Sequence, residues 1–334
     1  MTAESYKLGK MNGKKVLVLG GLGFIGSNVA HRCVELGAEV TIFDALIENY
    51  GGNMFNISTI KDKVEVLKKD MRDVKDLEAA VKGKDFIFNC AGQVSHVDSM
   101  TNPYIDIELN LVANINFLEA CRKYNDKASI VYAGTRAQIG KANELPVTEK
   151  TMPNPVDIYG INKHAAEGYH LLYNTAYGMQ TSSLRMTNAY GERSQVRHGK
   201  FGILNWFIRL ALEGKKISVY GDGKQKRDYL YVGDVVDALV LAGQKKEAAG
   251  KYYIVSSGKT IEFIDMVNKI IKECKTGSYE MVPWPEDRKR IETWDYEASS
   301  AKIKKELGWE PKTGFDDGLK RTVEFYRKNL KQYV

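Results

Sequence analysis

Residues 15–26 read KVLVLGGLGFIG, and this stretch decides the fold class. A continuous apolar run that ends in glycine is typical of a strand buried on both faces of a parallel sheet. Gly20, Gly23 and Gly26 follow at three-residue intervals, and an amphipathic run covers residues 24–36. The pattern predicts a buried strand, a tight glycine turn and a helix.

The same alternation of strand and helix patterns continues for most of the chain. Short β-rich runs recur at residues 39–43, 63–67, 85–90, 129–133 and 181–185, with helical patterns between them. Such alternation predicts an α/β fold with a doubly wound parallel sheet of the Rossmann type.

After Gly191 the alternation loosens, which predicts a second unit. A helical pattern near 202–213, a short strand that ends at Gly221, a helix from Asp234 and a strand at 251–255 follow in order. We expect a nucleotide-binding domain over residues 11–190 and a smaller C-terminal α/β substrate lobe over residues 191–334. Part of residues 230–255 is expected to return to the first domain.

The composition favours a globular protein. The 334 residues are 43% hydrophobic, enough for a large core, and their formal net charge is +7. No apolar run approaches the roughly eighteen residues of a membrane span, and the first residues lack the apolar run of a secretory signal, so we expect a cytoplasmic protein without a membrane partner. Lysines and arginines form no basic run, which argues against nucleic acid and leaves an anionic small ligand or an ordinary solvated surface. The four cysteines match no metal motif.

The glycine turn is a candidate phosphate site. Backbone N–H groups of Gly20, Gly23, Phe24, Ile25 and Gly26 can approach a pyrophosphate at the positive end of the helix. Such a turn between a buried strand and a helix is typical of dinucleotide binding.

An acidic residue that ends the second strand indicates which dinucleotide binds. The Asp44 carboxylate can accept hydrogen bonds from ribose hydroxyls and repel a 2′-phosphate, which favours NAD over NADP. A loop-capping aspartate is the alternative. Further residues are expected around the cofactor: Asp70 and Met71 beside the adenine, and Cys90, Ala91, Gly92 and Gln93 beneath it.

The segment DIYGINK at 157–163 places Tyr159 and Lys163 four residues apart on a predicted helix. Residues at this spacing share a face, and an ammonium about 4 Å from a phenol contributes roughly 4 kcal/mol toward phenolate at an effective dielectric near 20. Tyr159 could then take a proton from a substrate hydroxyl. The preceding strand would deliver Thr135 to the same point. An exposed helical pair without chemical function is the alternative.

Several longer motifs resemble those of one family. GGLGFIG, YGINK, LRMTNAYGER, YGDGKQKRDYLYVGDVVDA and KELGWEP are similar to the extended short-chain dehydrogenases/reductases that act on nucleotide sugars, and together they span nearly the whole chain. The resemblance implies that Thr135 is the catalytic hydroxyl, Tyr159 the base and Lys163 its activating partner. It also implies that Asn110 orients Lys163 through water.

The resemblance also suggests residues that contact the substrate. Asn188 and Arg227 match positions that hold the nucleotide diphosphate, and Arg288 is a weaker match for a second such arginine. Thr135 and Arg136 are also expected to contact the substrate. An arginine on the glycine-rich loop at 221–227 suits bidentate phosphate binding. A salt bridge from Arg227 to Asp228 or Asp234 is the alternative.

The residues after Thr135 bear on the type of reaction. Sugar 4,6-dehydratases of the family have an Asp-Glu pair there, decarboxylases commonly a glutamate, and 3,5-epimerases often a cysteine two places on; this chain has Arg136 and Ala137. We therefore favour an NAD-dependent 4-epimerase of the UDP-glucose/UDP-galactose type that acts through a transient 4-keto sugar. A 2-epimerase, a ketoreductase, a 4,6-dehydratase and a silent sugar-nucleotide sensor are the alternatives. His96 and Asp98 either recognise sugar hydroxyls or pair with each other.

The helical patterns at 103–124 and 159–177 carry more apolar residues than contact with one sheet requires. Apolar surface on adjacent helices suits a two-fold contact, and relatives in the family pair through these helices, so a homodimer is expected. The surplus positions are Ile107, Leu109, Leu111, Val112, Ile115, Phe117, Leu118, Tyr169, Leu172 and Tyr173.

Overall fold

The computed structural model describes residues 6–48 and 50–334. The strands of this part are β1 (Lys15–Leu19), β2 (Glu39–Phe43), β3 (Val64–Leu67), β4 (Phe86–Asn89), β5 (Ser129–Thr135), β6 (Gln180–Met186), β7 (Asn188–Tyr190), β8 (Lys216–Tyr220), β9 (Lys226–Tyr231), β10 (Tyr252–Val255), β11 (Thr260–Glu262) and β12 (Ser278–Val282).

The helices alternate with these strands over the first two thirds of the chain. They are α1 (Phe24–Glu35), α2 (Val74–Ala80), α3 (His96–Thr101), α4 (Pro103–Ile107), α5 (Ala113–Tyr124), α6 (Ile158–Tyr177), α7 (Ile203–Leu212), α8 (Val232–Gln244), α9 (Phe263–Cys274), α10 (Glu286–Arg290), α11 (Ala301–Leu307) and α12 (Phe315–Asn329). A π-helical segment, Glu108–Val112, joins α4 to α5.

Seven parallel strands form the main sheet in the order β10-β6-β5-β4-β1-β2-β3. The chain winds in one direction from β1 to β3 and in the other from β4 to β6, so the predicted doubly wound sheet is confirmed. Ligands of such sheets bind at the carboxyl ends of the strands beside the point of reversal, which here lies between β1 and β4. Strand β10 lies beside β6, at the edge of the same sheet.

The sheet is buried on both faces because its strands are apolar at successive positions. Val16 and Val18 of β1 belong to the core cluster that includes Val29 of α1 and residues of α8. Leu17 and Leu19 point the opposite way, into a second cluster with residues of α5. The uninterrupted apolar run thus serves two cores, as the sequence of β1 predicts.

Two smaller sheets lie outside the main one. Strand β9 is parallel to β7 and antiparallel to β11, and β8 is parallel to β12. Strand β7 follows β6 after one residue, so this sheet begins directly at the carboxyl edge of the main sheet. Within the ranges that the structure describes, every helix is too short or too polar to cross a membrane.

Candidate active site

A cavity of about 500 Å³ lies at the carboxyl edge of the main sheet. The strand order fixes the sequence of groups along this edge: residues after β3, β2 and β1 come first, then those after β4, β5 and β6. The predicted site residues that line the cavity are Gly20, Gly23, Phe24, Ile25, Gly26, Asp44, Asp70, Met71, Cys90, Ala91, Gly92, Thr135, Arg136, Tyr159, Lys163, Asn188, Arg227 and Arg288.

The glycine turn brings the start of α1 close to the end of β1. Gly20 has a φ of 70°, and a Cβ on Gly26 would lie 2.2 Å from the Gly20 carbonyl oxygen, so neither position accepts a side chain without movement. Gly23 caps α1 without a side-chain hydrogen bond, which leaves first-turn N–H groups facing the cavity. This cradle fits a pyrophosphate.

Asp44 follows β2, where it caps the neighbouring loop and also faces the cavity, and its contact with a ribose stays a prediction. Its carboxylate accepts a hydrogen bond from Leu22 N–H at 2.9 Å and from Leu46 N–H at 2.8 Å, and it also lines the cavity. Each oxygen keeps a lone pair for a further donor, such as a ribose hydroxyl. Burial raises the pKa of this carboxyl, with the two backbone hydrogen bonds acting in the opposite direction.

Asp70 lines the cavity while its carboxylate is already paired. The Arg72 guanidinium binds both of its oxygens, the shortest contact being 2.7 Å, and this hydrogen bonding lowers the pKa of Asp70. Met71 beside it is 7% exposed. An apolar side chain next to a fixed carboxylate suits the adenine end of a dinucleotide.

Gln93, predicted to lie beneath the cofactor, and Asn110, predicted to orient Lys163 through water, lie behind the cavity wall. Gln93 is buried and donates from Nε2 to Asp106 Oδ2 at 2.9 Å, and Asn110 donates from Nδ2 to the Gln93 carbonyl at 3.0 Å. A Cβ on Gly92 would lie 2.4 Å from Asn110 Oδ1. The pair therefore supports the backbone beneath the cavity, and Asn110 reaches this place from the π-helical segment between α4 and α5.

The structure brings Thr135, Tyr159 and Lys163 together. Helix α6 begins after Asp157, whose carboxylate accepts the Gly160 N–H at 2.7 Å, so Tyr159 lies in the first turn and Lys163 one turn further. Thr135 ends β5, and its hydroxyl lowers the pKa of the Tyr159 phenol, so the two groups lie close together in the cavity. The three residues line the same cavity, as their spacing suggests, and their catalytic roles stay a prediction.

The electrostatics of the cluster differ from the expectation. Burial raises the pKa of Tyr159 above its ordinary value, and the Thr135 hydroxyl and the Arg136 guanidinium act in the opposite direction. Lys163, expected to be the main activating charge, is itself buried. Its Nζ donates to the Ala133 carbonyl at 2.9 Å, and burial lowers the pKa of Lys163 to about 8.

His96 and Asp98 do not pair with each other, so that alternative is wrong. His96 Nδ1 contacts the Asp157 carboxylate, and its ring meets Tyr159 edge to face at 5.2 Å between centroids. Asp98 pairs with Lys200 at 2.8 Å. His96 lines the cavity beside the phenol, whereas Asp98 anchors a neighbouring loop.

Arg227 makes neither of the salt bridges considered from the sequence. Its guanidinium contacts the Glu292 carboxylate and the carbonyls of Lys226 and Trp294. Asp228 instead accepts hydrogen bonds from the Ser257 and Gly258 N–H groups, and Asp234 from those of Lys312 and Thr313. Glu292 thus holds the arginine against the cavity wall. Sequence reasoning missed it because it lies 65 residues further along the chain, in a segment without a recognisable pattern.

Arg136 is a cavity-lining cation whose contacts are to neutral groups. It donates from Nε to Asn188 Oδ1 and from one terminal nitrogen to Thr293 Oγ1, both at 2.9 Å. Its guanidinium also lies over the Tyr296 ring at 5.3 Å. Burial, followed by the neighbouring Arg227 charge, lowers the pKa of Arg136. In the described part of the chain no carboxylate lies within ion-pair distance of it, so this end of the cavity suits an anionic substrate.

Comparison with known proteins defines the class. Residues 16–256 match the model of the NAD dependent epimerase/dehydratase family, so the chain belongs to that family and is an enzyme of the extended short-chain dehydrogenase/reductase group. The resemblance to the extended short-chain dehydrogenases/reductases is confirmed. The family is NAD-dependent. The start of α1, which has no side-chain cap, and the Asp44 carboxylate fit NAD.

Individual relatives cover almost the full length. A putative UDP-glucose 4-epimerase of Methanocaldococcus jannaschii is 33% identical over 94% of this chain and 99% of its own. The structure of a Thermus thermophilus UDP-glucose 4-epimerase with NAD aligns with a TM-score of 0.84 at 31% identity, covering 94% of this chain and 99% of that one. A dTDP-glucose 4,6-dehydratase of Streptomyces niveus is 29% identical over 94% of this chain and 93% of its own. Epimerases and dehydratases therefore both number among its relatives.

Proposed function

We propose that the protein is an NAD-dependent nucleotide-sugar 4-epimerase of the UDP-glucose/UDP-galactose type. The observation that carries this proposal is that Thr135, Tyr159 and Lys163 line one cavity together. The residue that follows Thr135 is Arg136, a cation that lines the same cavity. The hydroxyl, the phenol and the amine can support removal and return of hydride at one carbon. With a bound hydride acceptor, and with a keto sugar that can turn over, these groups are enough to invert a secondary alcohol through a ketone.

In the proposed mechanism, the glycine turn and Asp44 would hold NAD, which would supply the hydride acceptor and donor for C4 of the sugar. Tyr159 takes the proton of the 4-hydroxyl in the first half and gives it back in the second. Thr135, which lines the cavity beside the phenol, positions the reacting oxygen. Between the two halves the keto sugar must present its other face, and arginines at the far end of the cavity hold the diphosphate while it does so.

The choice of epimerisation over dehydration depends on which carboxylates reach the cavity. A dehydratase must protonate a leaving hydroxyl and remove a second proton, which requires an additional acid and base. Three carboxylates occur among the described residues that line the cavity. Asp44 and Asp70 come after β2 and β3, where NAD is expected to bind, and Glu292 is bound to Arg227. Arg136 and Ala137 follow Thr135 and offer neither group.

The proposal is tested by incubating the purified protein with UDP-, dTDP-, CDP- and GDP-sugars and analysing the products by NMR. A 4-epimerase changes the proton coupling at C4 only, and a deuterium label placed at C4 stays in the product. A 4,6-dehydratase would give a 4-keto-6-deoxy sugar, and a 2-epimerase would change the coupling at C2. A ketoreductase would consume external NADH in proportion to product. Any of these three outcomes overturns the proposal.

We further propose that the enzyme is a homodimer that pairs through α4–α5 and α6. Some of the surplus apolar side chains are buried within the chain and others are exposed. Phe117, Leu118 and Tyr173 are buried, whereas Val112 is 43% exposed and Leu172 is 53% exposed. Further exposed apolar side chains of the same region are Met100, Tyr104, Ile161 and Tyr169. A self-complementary contact would cover this apolar surface.

A further inference from the structure

The amino group of Lys163 is buried without a carboxylate partner. Lys163 is 5% exposed, and the Ala133 carbonyl is its hydrogen-bond acceptor. Among the residues that the structure describes, no carboxylate lies within ion-pair distance of Nζ. Burial of an ammonium disfavours its charged form, so some other contact must offset this cost if the group is to act as a cation.

The face of Tyr132 supplies such a contact. Lys163 Nζ lies 4.1 Å from the centroid of the Tyr132 ring. An ammonium over an aromatic face is attracted by the negative charge density of the ring, and the attraction is strongest where water is excluded. Tyr132 is fully buried on β5, so water does not weaken this contact.

His170 fixes the orientation of the Tyr132 ring. The two rings stack with centroids 4.4 Å apart and planes 23° from parallel. The His170 Nδ1 is hydrogen-bonded to the Ala166 carbonyl at 2.8 Å, and burial lowers the pKa of His170 to about 4, so the imidazole adds no positive charge. Lys163 and His170 are seven residues, or about 10 Å, apart along α6, so the ring is held between them. The Tyr132 hydroxyl has no hydrogen-bond partner in the described part of the chain, so the ring makes the contact.

We propose that Tyr132 is a positioning residue that keeps Lys163 in its ammonium form by a cation–π contact. The inference rests on the activating role proposed for Lys163 in the epimerase reaction. In this role Tyr132 needs its aromatic ring and does not need its hydroxyl.

The other charged and titratable groups around Lys163 are already engaged or neutral. Asp106 of α4 accepts hydrogen bonds from Asn162 and Gln93, and Glu167 of α6 is bound to Arg185 and Ser183. Burial raises the pKa of the Cys90 thiol, which follows β4, to about 12, and burial also raises the pKa of the Tyr159 phenol above its ordinary value. These groups act on Lys163 from a distance, whereas the Tyr132 face is in contact with it.

The test measures the titration of Lys163 directly in the intact protein. Competitive labelling with a trace amine-acylating reagent across pH, read by peptide mass spectrometry, gives the midpoint at which Lys163 loses its proton. Since the ring favours the charged form, Tyr132→Leu should lower this midpoint by about one pH unit. The alkaline limb of the activity profile should move to lower pH by the same amount. Tyr253→Leu, which removes a buried tyrosine ring of β10, is the matched control and should leave the midpoint unchanged.

A second series preserves the packing while changing only the ring electronics. Tyr132→Phe should keep the Lys163 midpoint within half a pH unit of the parent, and successive fluorination of that phenylalanine should lower it stepwise. An unchanged midpoint along the fluorinated series, or an equal shift in Tyr132→Phe and Tyr132→Leu, would overturn the proposal. Because the labelling does not depend on turnover, it gives a result even if the epimerase assignment fails.

Discussion

Replacing Tyr159 by phenylalanine tests the chemistry with the smallest structural change. The ring is 5% exposed and packs against His96, and both features are retained in Tyr159→Phe. The substitution removes only the phenol hydroxyl, a polar group whose contacts are worth about 1 kcal/mol of stability. We expect thermal unfolding to change little and NAD content, measured by absorbance after denaturation, to equal that of the parent.

Turnover of the Tyr159→Phe variant should nevertheless fall at least ~10²-fold, or about 2.7 kcal/mol in the barrier, because the variant lacks the base proposed to take the proton of the 4-hydroxyl. The pH profile adds a second check. Burial raises the pKa of Tyr159, so the activity of the parent should increase with pH until Lys163, whose pKa is about 8, loses its charge. The variant should lack this rise. Tyr253→Phe, which removes a buried hydroxyl bonded to Glu306, is the control and should remain active. Activity within tenfold of the parent, with NAD still bound, would refute the assignment of the base.

Three further predictions concern the cofactor, the substrate and the assembly. Asp44→Arg should weaken NAD and improve NADP binding in equilibrium titrations, and equal affinity of the parent for both would contradict the role of this carboxylate. Arg288→Gln should raise KM about tenfold with kcat nearly unchanged, because one charge-assisted contact to the diphosphate is lost. Lys289→Gln, at the exposed neighbouring position, is the control and should leave KM unchanged. The parent should sediment as a dimer at low micromolar concentration and Leu172→Glu as a monomer, since Leu172 is 53% exposed on α6; a parent monomer would refute the proposed interface.

Local patterns in the sequence determined the fold and the centre of the site. The apolar run at 15–19 predicted a strand buried on both faces, and alternating runs predicted the strands that follow it, because backbone periodicity repeats over a few residues. The glycine turn and the four-residue spacing of Tyr159 and Lys163 are local in the same sense. Their geometry follows from the start of a helix and requires no knowledge of distant contacts.

Partners that are distant in sequence were decided by the tertiary structure. Arg227 and Asp228 are adjacent, yet neighbouring side chains of a strand point to opposite faces, so Arg227 meets Glu292 while Asp228 meets the backbone at 257–258. Nothing in the local sequence distinguishes Glu292 from other acidic residues.

The charge states of the site also depend on the tertiary structure. Spacing alone suggested that Lys163 lowers the pKa of Tyr159, but burial acts on both groups and favours their neutral forms. The sequence by itself determined which side chains share a face of α6. Whether they are charged there depends on the depth of burial and on Tyr132, a residue of another element, because electrostatic energies in a protein depend on everything packed around the charge.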